Sequence, residues 1–306
     1  MLRQSDRRAR RRSPPRRWWW RWCGRRPWRF LAVFAAVLLL ASYLVCAAVL
    51  RRANALGRRC SAGWNPARPR LRIAMVSFSD ERGGGGRSFL GMMDAVRSNK
   101  MKYSAARGYD FHDAGDIVDR RRPPSWSKIL AIQRHLLPTT TGSSGTTPYD
   151  SLVTNFSITL DSVLWTVIGD AKFDDLPDLI LTEDFNGFNA GMFFVRRSRW
   201  SDGFLQTWWN QTDFIRFGST KSGDNDALKY LIRELPAEER RRHVRVSPMQ
   251  CLFNSYPWVF TWKSFYRLLR SPGSFWRGAY SDGDFMVHLA GLDDKREWVT
   301  KILNGT

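Results

Sequence analysis

The stretch LRIAMVSFS, residues 71–79, is short, apolar and rich in strand-forming side chains, which predicts a buried first β-strand. The segments that follow it alternate between short apolar runs and amphipathic runs of helix length. Helices are predicted at 88–98, 125–137, 200–209, 226–235 and 297–303, and further strands at 102–111, 179–182, 190–195 and 284–289. Strands that alternate with helices are typical of an α/β sheet, so we predict an α/β fold from residue 71 onward.

One segment within this region has neither a helix nor a strand signal. Residues 138–148, PTTTGSSGTTP, are low in complexity and show no apolar periodicity. This composition predicts a loop or a segment without regular structure.

A single long apolar run precedes the α/β region: FLAVFAAVLLLASYLVCAAVL, residues 30–50. Its 21 residues carry no charge, and a helix of this length crosses a bilayer core of ~30 Å. Twelve arginines precede the run and fewer follow it, which predicts a cytosolic N-terminus and a lumenal body. A cleaved signal peptide is the alternative, although its apolar core is usually only ~7–15 residues long.

The chain is therefore divided into four parts. We predict a cytoplasmic Arg/Trp-rich tail at 1–29, a transmembrane signal-anchor at 30–50, a short stem at 51–70 and a lumenal domain at 71–306. The expected location is a Golgi-type membrane, crossed once in the type II orientation.

The net charge of +21 at first suggests a nucleic-acid-binding protein. Residues 1–70, however, hold 18 arginines, no lysine and the single acid Asp6, which account for +17 of that charge. A surface that binds phosphate backbones needs its charge on the folded domain. Because the charge here flanks the apolar run instead, we expect no nucleic-acid partner.

Two further features suit a lumenal location. Cys60 and Cys251 would share an oxidising compartment and could pair, while no cysteine spacing typical of a metal site is present. Asn-X-Ser/Thr sequons predict glycosylation at Asn155, Asn210 and Asn304, although such triplets also arise by chance.

Candidate binding residues lie at predicted helix starts. Pro123 and Pro124 end any preceding element, Ser125 is a candidate helix cap, and Lys128 would then lie in the first turn, where a bound phosphate is favoured. The alternative is a capped surface helix with a solvated lysine. Asp224 and Asn225 open another predicted helix and could hold a sugar near a reacting carbon, or Asp224 could simply cap that helix.

Candidate binding residues also lie beside predicted strands. In DFNGFNAGMFFVRR, residues 184–197, Asn189 and Gly191 stand where a polar turn enters an apolar strand and suit sugar hydroxyls, although an ordinary turn has the same letters. His288 lies in an apolar strand, where it is either a core residue or a metal ligand. Lys295 follows within reach of a diphosphate.

Taken in order, these segments resemble the galactosyl-, mannosyl- and xylosyltransferases of glycosyltransferase family 34, which occurs in plants, fungi and protists. The resemblance rests on Asn99-Lys100 with Tyr103, Gly108-Tyr109-Asp110, the segment 122–128, the segment 184–191 with Arg196 and Trp200, the segment 224–228, and the segment 288–291.

This resemblance implies a GT-A fold, in which a Rossmann-like sheet binds a UDP- or GDP-sugar at the carboxyl ends of its strands. It implies a retaining transfer of a hexosyl or pentosyl unit to a glycan or polysaccharide, with Mn²⁺ holding the diphosphate. His288 would be a metal ligand and Lys295 would contact the diphosphate. Asp224 and Asn225 would act at the reacting carbon, and Asn189 and Gly191 would line the sugar pocket. Other glycosyltransferases are expected as partners in complexes.

The sequence departs from the family pattern at one place. The family has a buried strand that ends in Asp-X-Asp, and here Tyr149-Asp150 leads directly into Ser151, so that strand and motif are expected to be missing. Asp150 could substitute as one ligand. Two hypotheses follow: an active enzyme that tolerates the gap, and an inactive relative that binds glycans or assembles complexes.

Overall fold

A computed structural model describes residues 26–60, 62–63, 65–78, 91–136, 143–148, 150–170, 175–218, 221–259 and 261–304. The predicted tail up to residue 25 lies outside the described residues. The chain divides into two compact units, Met1–Val49 and Leu50–Thr306.

The first unit contains most of one long helix, α1, Arg26–Arg51. Its segment Trp28–Arg51, 24 residues, is long and apolar enough to cross a membrane, and most of its large apolar side chains are exposed. This helix is compatible with the signal-anchor predicted at 30–50.

The second unit is built on a six-stranded mixed sheet in the order β2-β1-β3-β6-β5-β7, with a separate antiparallel pair of β4 and β8. β1 runs parallel to both β2 and β3, while β6 runs antiparallel to β3 and β5. The strands are β1 Ile73–Phe78, β2 Asp110–Asp113, β3 Ser143–Pro148, β4 Ser151–Val153, β5 Leu179–Asp184, β6 Gly187–Arg196, β7 Val244–Val246 and β8 Met286–His288.

Helices cover both faces of the sheet. Successive strand residues point to opposite faces, so a strand that is apolar throughout needs helices packed on each side. In β5, Leu179 and Leu181 pack in one core cluster and Ile180 in the other. The helices are α2 Met93–Arg107, α3 Ser127–His135, α4 Leu160–Ile168, α5 Arg199–Trp209, α6 Asp224–Glu234, α7 Ala237–His243, α8 Trp262–Arg270, α9 Pro272–Gly278 and α10 Lys295–Leu303. The predicted α/β fold is confirmed.

The first helix of the body lies further along the chain than predicted. α2 extends to Arg107, so the prediction of a strand from residue 102 is wrong for 102–107, and the strand β2 begins only at Asp110. Val96, Lys100 and Tyr103 are all fully buried at helical spacing, and this buried face overrides the local strand preference of Tyr103.

The low-complexity segment contains a central strand, so the prediction of a loop is wrong for 143–148. β3 pairs with β1 along residues 73–78 and with β6 along residues 193–196. A central strand satisfies its backbone groups on both sides, whatever its side chains are. The strand position that was expected to be missing is therefore filled by these residues.

The segment predicted as a stem contributes to the body. Ala53, Arg58, Cys60 and Ala62 are buried, and Asn54–Arg58 forms a short π-helical turn. Cys60 and Cys251 form a disulfide with a Cα–Cα distance of 5.7 Å, so the pairing left open by the sequence occurs. The Arg58 guanidinium also donates to both oxygens of Asp284, at 2.6 and 2.7 Å.

Candidate active site

A buried carboxylate lies between two basic side chains just past the carboxyl end of the central strand β3. Asp150 follows the last residue of β3 by two positions, His288 ends β8, and Lys295 begins α10. The His288 Nε2 lies 3.3 Å from one Asp150 oxygen, and the Lys295 Nζ donates to the other at 2.7 Å. The structure thus brings together two predicted residues and the acid that the sequence offered only as a substitute ligand.

The surrounding charges keep this carboxylate ionised. Burial alone would raise the pKa of Asp150, but the adjacent His288 and Lys295 outweigh burial and hold it well below its ordinary value. A third basic group, Lys100, is fully buried nearby and donates to Ser77 Oγ at 3.0 Å. Burial lowers the pKa of Lys100 to about 7, although the charges of Asp150 and Asp113 oppose that shift.

The imidazole of His288 is held in one orientation. Asn254 Nδ2 donates to Thr182 Oγ1 at 2.8 Å, which turns the amide oxygen of Asn254 toward His288 Nδ1, 2.8 Å away. Nδ1 therefore carries a proton that it donates to Asn254, and Nε2 faces Asp150. A hydrogen bond to the far nitrogen is the usual way in which proteins orient a metal-binding histidine.

Close packing beside this ring requires glycine at position 191. A Cβ on Gly191 would lie 2.5 Å from His288 Cε1 and 2.8 Å from Asn189 Oδ1. Both distances are shorter than side chains tolerate. The predicted pocket residue Gly191 is thus in contact with the predicted metal ligand.

Asn189 is fixed by three hydrogen bonds. Its Nδ2 donates to Asp184 Oδ2 at 2.8 Å and to the Tyr256 hydroxyl at 2.6 Å, and its Oδ1 accepts from Gly191 N at 2.8 Å. Burial and the charge of Asp184 raise the pKa of Tyr256, so its hydroxyl stays neutral and donates to Asp184 at 3.2 Å. These contacts hold the Asn189 side chain in place next to the turn that joins β5 to β6.

A second buried carboxylate lies beside the first cluster. Asp224 Oδ2 pairs with Lys128 Nζ at 2.5 Å, and Oδ1 accepts from Ser125 at 2.9 Å and from Ser222 at 2.6 Å. Burial opposes ionisation, but Lys128 and these hydroxyls outweigh it and lower the pKa of Asp224.

This arrangement corrects two local predictions. Ser125 does not cap a helix: it lies in a 3-10 turn, Pro124–Trp126, and its hydroxyl binds Asp224 instead. Asp224 is the first residue of α6, whose cap residue is Gly223, and its side chain makes no cap hydrogen bond. The carboxylate therefore serves the buried network with Lys128 and not the helix end.

The two clusters meet at the backbone of β6. Lys128 Nζ donates to the Ala190 carbonyl at 2.8 Å, and Ala190 N donates to Asn225 Oδ1 at 2.7 Å. Ala190 stands between Asn189 and Gly191, which contact the first cluster. These contacts join the predicted metal ligand His288 and all of the predicted substrate-binding and catalytic residues in one network around β6. The substrate-binding and catalytic residues are Lys128, Asn189, Gly191, Asp224, Asn225 and Lys295.

The first cluster fits a divalent cation. Two ligand atoms in adjacent positions on such an ion, each at ~2.1 Å, are separated by about 3 Å, and the observed distance between His288 Nε2 and Asp150 Oδ1 is 3.3 Å. Within the described residues, no third His, Cys, Asp or Glu ligand atom joins these two in one group. The remaining ligands would be diphosphate oxygens and water, as is usual for ions bound with substrate phosphates.

The predicted glycosylation sites differ in accessibility. Asn210 is exposed at the end of α5, whereas Asn155 is half-buried and its Nδ2 donates to the Gly283 carbonyl at 3.0 Å. Asn304 is exposed, but the rest of its sequon lies outside the described residues.

Sequence reasoning missed Asn254 and Tyr256. Both lie in CLFNSYPW, residues 251–258, which shows no spacing pattern associated with a binding site. Polar residues just after a candidate disulfide cysteine were the only signal available. Asp184 begins the segment 184–197, but the sequence predicted no role for it.

The fold defined here is that of a glycosyltransferase. A solved glycosyltransferase involved in the glycosylation of the major capsid of PBCV-1 superposes with a TM-score of 0.50 at 13% identity, covering 76% of this chain and 99% of that chain. The solved galactosyltransferase LgtC, in complex with donor and acceptor sugar analogs, has a TM-score of 0.46 at 14% identity and covers 76% and 94%. The first of these likenesses shows the predicted GT-A fold.

The sequence comparisons point to the same class of protein. The family model described as the galactosyl transferase GMA12/MNN10 family matches residues 170–298, and this match confirms the predicted resemblance. The probable alpha-1,6-mannosyltransferase MNN10 of Saccharomyces cerevisiae is 26% identical over 145 residues, which cover 40% of this chain. The match spans about a third of that relative's length, 32%.

Proposed function

We propose that this chain is a single-pass type II glycosyltransferase of the Golgi membrane. It moves a hexosyl or pentosyl unit from a UDP- or GDP-sugar to a glycan or polysaccharide, with retention of configuration and with Mn²⁺. One observation carries the proposal: the buried carboxylate of Asp150, flanked by His288 and Lys295, lies just past the end of the central strand β3. In open α/β sheets, ligands bind at the carboxyl ends of strands.

Asp150 and His288 would hold the metal ion, which supplies positive charge to the departing diphosphate when it is bound. Lys295 remains beside Asp150, and its ammonium has three protons, so it can also donate to a diphosphate oxygen. Asn254 keeps Nε2 of His288 directed at this position. The chain's own residues thus gather positive charge where the leaving group becomes more negative.

The sugar would lie along the backbone of residues 189–191. Gly191 lets the backbone of β6 approach the His288 ring closely, and Asn189 Oδ1, which accepts one hydrogen bond from Gly191 N, can accept a second from a sugar hydroxyl. A carboxylate has about four acceptor positions, and three donors occupy those of Asp224, which leaves one for a sugar hydroxyl. Asn225 and Lys128 hold the Ala190 peptide in place between them.

In the proposed transfer, the bond between the anomeric carbon and the diphosphate oxygen breaks, and the diphosphate leaves with the electron pair. The acceptor hydroxyl oxygen forms the new bond on the same face, and its proton passes to the diphosphate oxygen. Negative charge at Asp224 favours the cationic character that the anomeric carbon develops.

The membrane assignment rests on α1 and on the arginines that precede it. Glycan acceptors and other glycosyltransferases are the expected partners, and nucleic acid is not. Glycosylation is proposed at Asn155, Asn210 and Asn304, of which Asn210 and Asn304 are exposed.

The test is turnover of UDP-galactose, UDP-xylose and GDP-mannose by the full chain in detergent, with and without Mn²⁺. Asp150→Asn should lose at least about a hundredfold in rate, since a catalytic ligand is removed. Asp116→Asn, which removes an exposed carboxylate that is paired with Arg134, is the matched control and should keep the wild-type rate. A folded chain that turns over none of the three donors would refute the enzyme assignment.

A non-catalytic role in glycan binding or complex assembly is the second candidate. It is favoured by Pro148, which stands two residues before Asp150, where the first acid of an Asp-X-Asp pair would be. With only one acid, the protein supplies two ligands to a cation instead of three. Calorimetry with UDP and Mn²⁺ separates the candidates, because tight metal-dependent binding of UDP is expected only of the enzyme.

A further inference from the structure

An amphipathic helix in the second unit exposes its apolar side. None of the residues of α8 is buried, and Trp262, Leu269 and Tyr266 are 81%, 67% and 54% exposed. At about 100° per residue, these three side chains fall within about 60° of one another around the helix. Large apolar side chains that form one exposed stripe mark an interaction surface.

The charges around this stripe have a single sign. Residues 261–281 contain four basic side chains and no acidic one. Lys263 and Arg270 are exposed and lie about 100° and 80° around α8 from Trp262. A stripe of tryptophan, tyrosine and leucine flanked by lysine and arginine is typical of helices that lie in a membrane interface.

The same segment is joined to the end of the apolar helix α1. The carbonyl of Arg51, the last residue of α1, accepts from Ser281 Oγ at 2.7 Å and from Asp282 N at 2.9 Å. Arg58, seven residues further on, donates to the Trp276 carbonyl in α9 at 3.4 Å. Ser281 and Asp282, which follow α9, therefore contact the last residue of the helix that is long and apolar enough to cross a membrane.

The acceptor glycan is a competing occupant, because α8 also lies near the site. The Arg267 guanidinium is 5.5 Å from the ring of Phe185, which follows Asp184. Arg267, however, lies about 140° around the helix from Trp262 and about 160° from Leu269. The exposed stripe is thus on the other side of α8 from the site, which favours a different occupant.

We propose that α8 lies in the headgroup region of the bilayer that α1 crosses and binds it through Trp262, Tyr266 and Leu269. This inference rests on the membrane anchor of the proposed function. The chain would then contact the bilayer through two segments, α1 and α8.

The test uses the full chain in phosphatidylcholine vesicles, with Cys23 and Cys46 replaced by serine. An environment-sensitive fluorophore is attached at Leu269→Cys, or at Glu238→Cys on the exposed helix α7 as the matched control. Lipids with a quencher near the headgroup should remove roughly half of the emission at position 269 and less than about a tenth at 238. Trp262→Ser should reduce the quenching at 269.

Equal quenching at the two positions would overturn the proposal. Relief of the quenching at 269 by a soluble glycan would assign the stripe to the acceptor, and dependence on the protein-to-lipid ratio would assign it to a second copy of the chain. Both results would also overturn the proposal. Flotation of the protein with the vesicles reports the anchor separately, so a failed anchor is distinguished from a helix that stays in water.

Discussion

Replacing Gly191 by alanine should displace the imidazole that faces Asp150. The new Cβ would lie 2.5 Å from His288 Cε1, whereas ordinary contact begins at 3.4 Å. One of the two groups must therefore move by about 0.9 Å. The ring is held by Asn254 and the Gly191 backbone by β6, so neither can move without breaking a hydrogen bond.

The expected effect is larger on activity than on stability. Misplacement of a catalytic group by about 1 Å costs about a hundredfold in rate, whereas overpacking of one methyl group costs ~1–3 kcal/mol of unfolding free energy. Because His288 is a proposed metal ligand, the affinity for Mn²⁺ in the presence of UDP should fall as well.

The assay measures donor turnover in detergent and free Mn²⁺ by electron paramagnetic resonance. Gly203→Ala is the matched control, since its Cβ would meet nothing within 4 Å and it lies inside α5. That variant should keep the wild-type rate and gain up to ~1 kcal/mol in stability. If Gly191→Ala folds and equals Gly203→Ala in both rate and Mn²⁺ affinity, the reasoning about His288 is wrong.

Three further predictions concern stability, measured by thermal unfolding of the full chain in detergent. Arg58→Met should lower the unfolding free energy by ~3–5 kcal/mol, because it leaves the buried Asp284 without its charge partner, and the double variant with Asp284→Leu should recover most of that loss. Cys60→Ser and Cys251→Ser should each lower it by ~2–5 kcal/mol. Lys100→Met should stabilise the chain more at about pH 6 than at about pH 9, because the pKa of Lys100 is lowered on folding: the destabilisation from burying its charge is complete below about pH 7 and shrinks as the pH rises from there toward the ordinary pKa of lysine.

Each of these has a result that would contradict it. A double variant as unstable as Arg58→Met alone would show that the guanidinium acts through packing. Unchanged stability on losing either cysteine would show that the disulfide only joins parts already held by other contacts. A gain from Lys100→Met that is the same at both pH values would mean that Lys100 does not lose its proton on folding.

The regular parts of the fold could be predicted because their patterns are local. The run at 71–79 is apolar throughout and became the buried strand β1, Ile73–Phe78. The segment 143–148 could not be predicted, because its strand form depends on two partners that lie about 50 to 70 residues away in the chain. The boundary of α2 was misplaced for a similar reason, since burial of Tyr103 decides it.

The candidate site shows the same division. His288 and Lys295 were predicted from their residue types and their order along the chain, and their contacts with Asp150 place them in one cluster. The pairing of Lys128 with Asp224 spans 96 positions, so the sequence offered a phosphate for the lysine and a sugar or a helix cap for the acid, but not the contact between them. Asn254 acts through one hydrogen bond to the imidazole of His288, and no sequence pattern predicts such a contact.

The disulfide also changes what a protease could release. The bond between Cys60 and Cys251 closes a covalent ring that contains all six strands of the main sheet. A single cut anywhere between these two cysteines, for example in the exposed segment near Phe217, opens the ring without separating its halves. The C-terminal piece with His288 would stay attached to the anchor until the disulfide is reduced, whereas a cut before Cys60 would free the whole body from it.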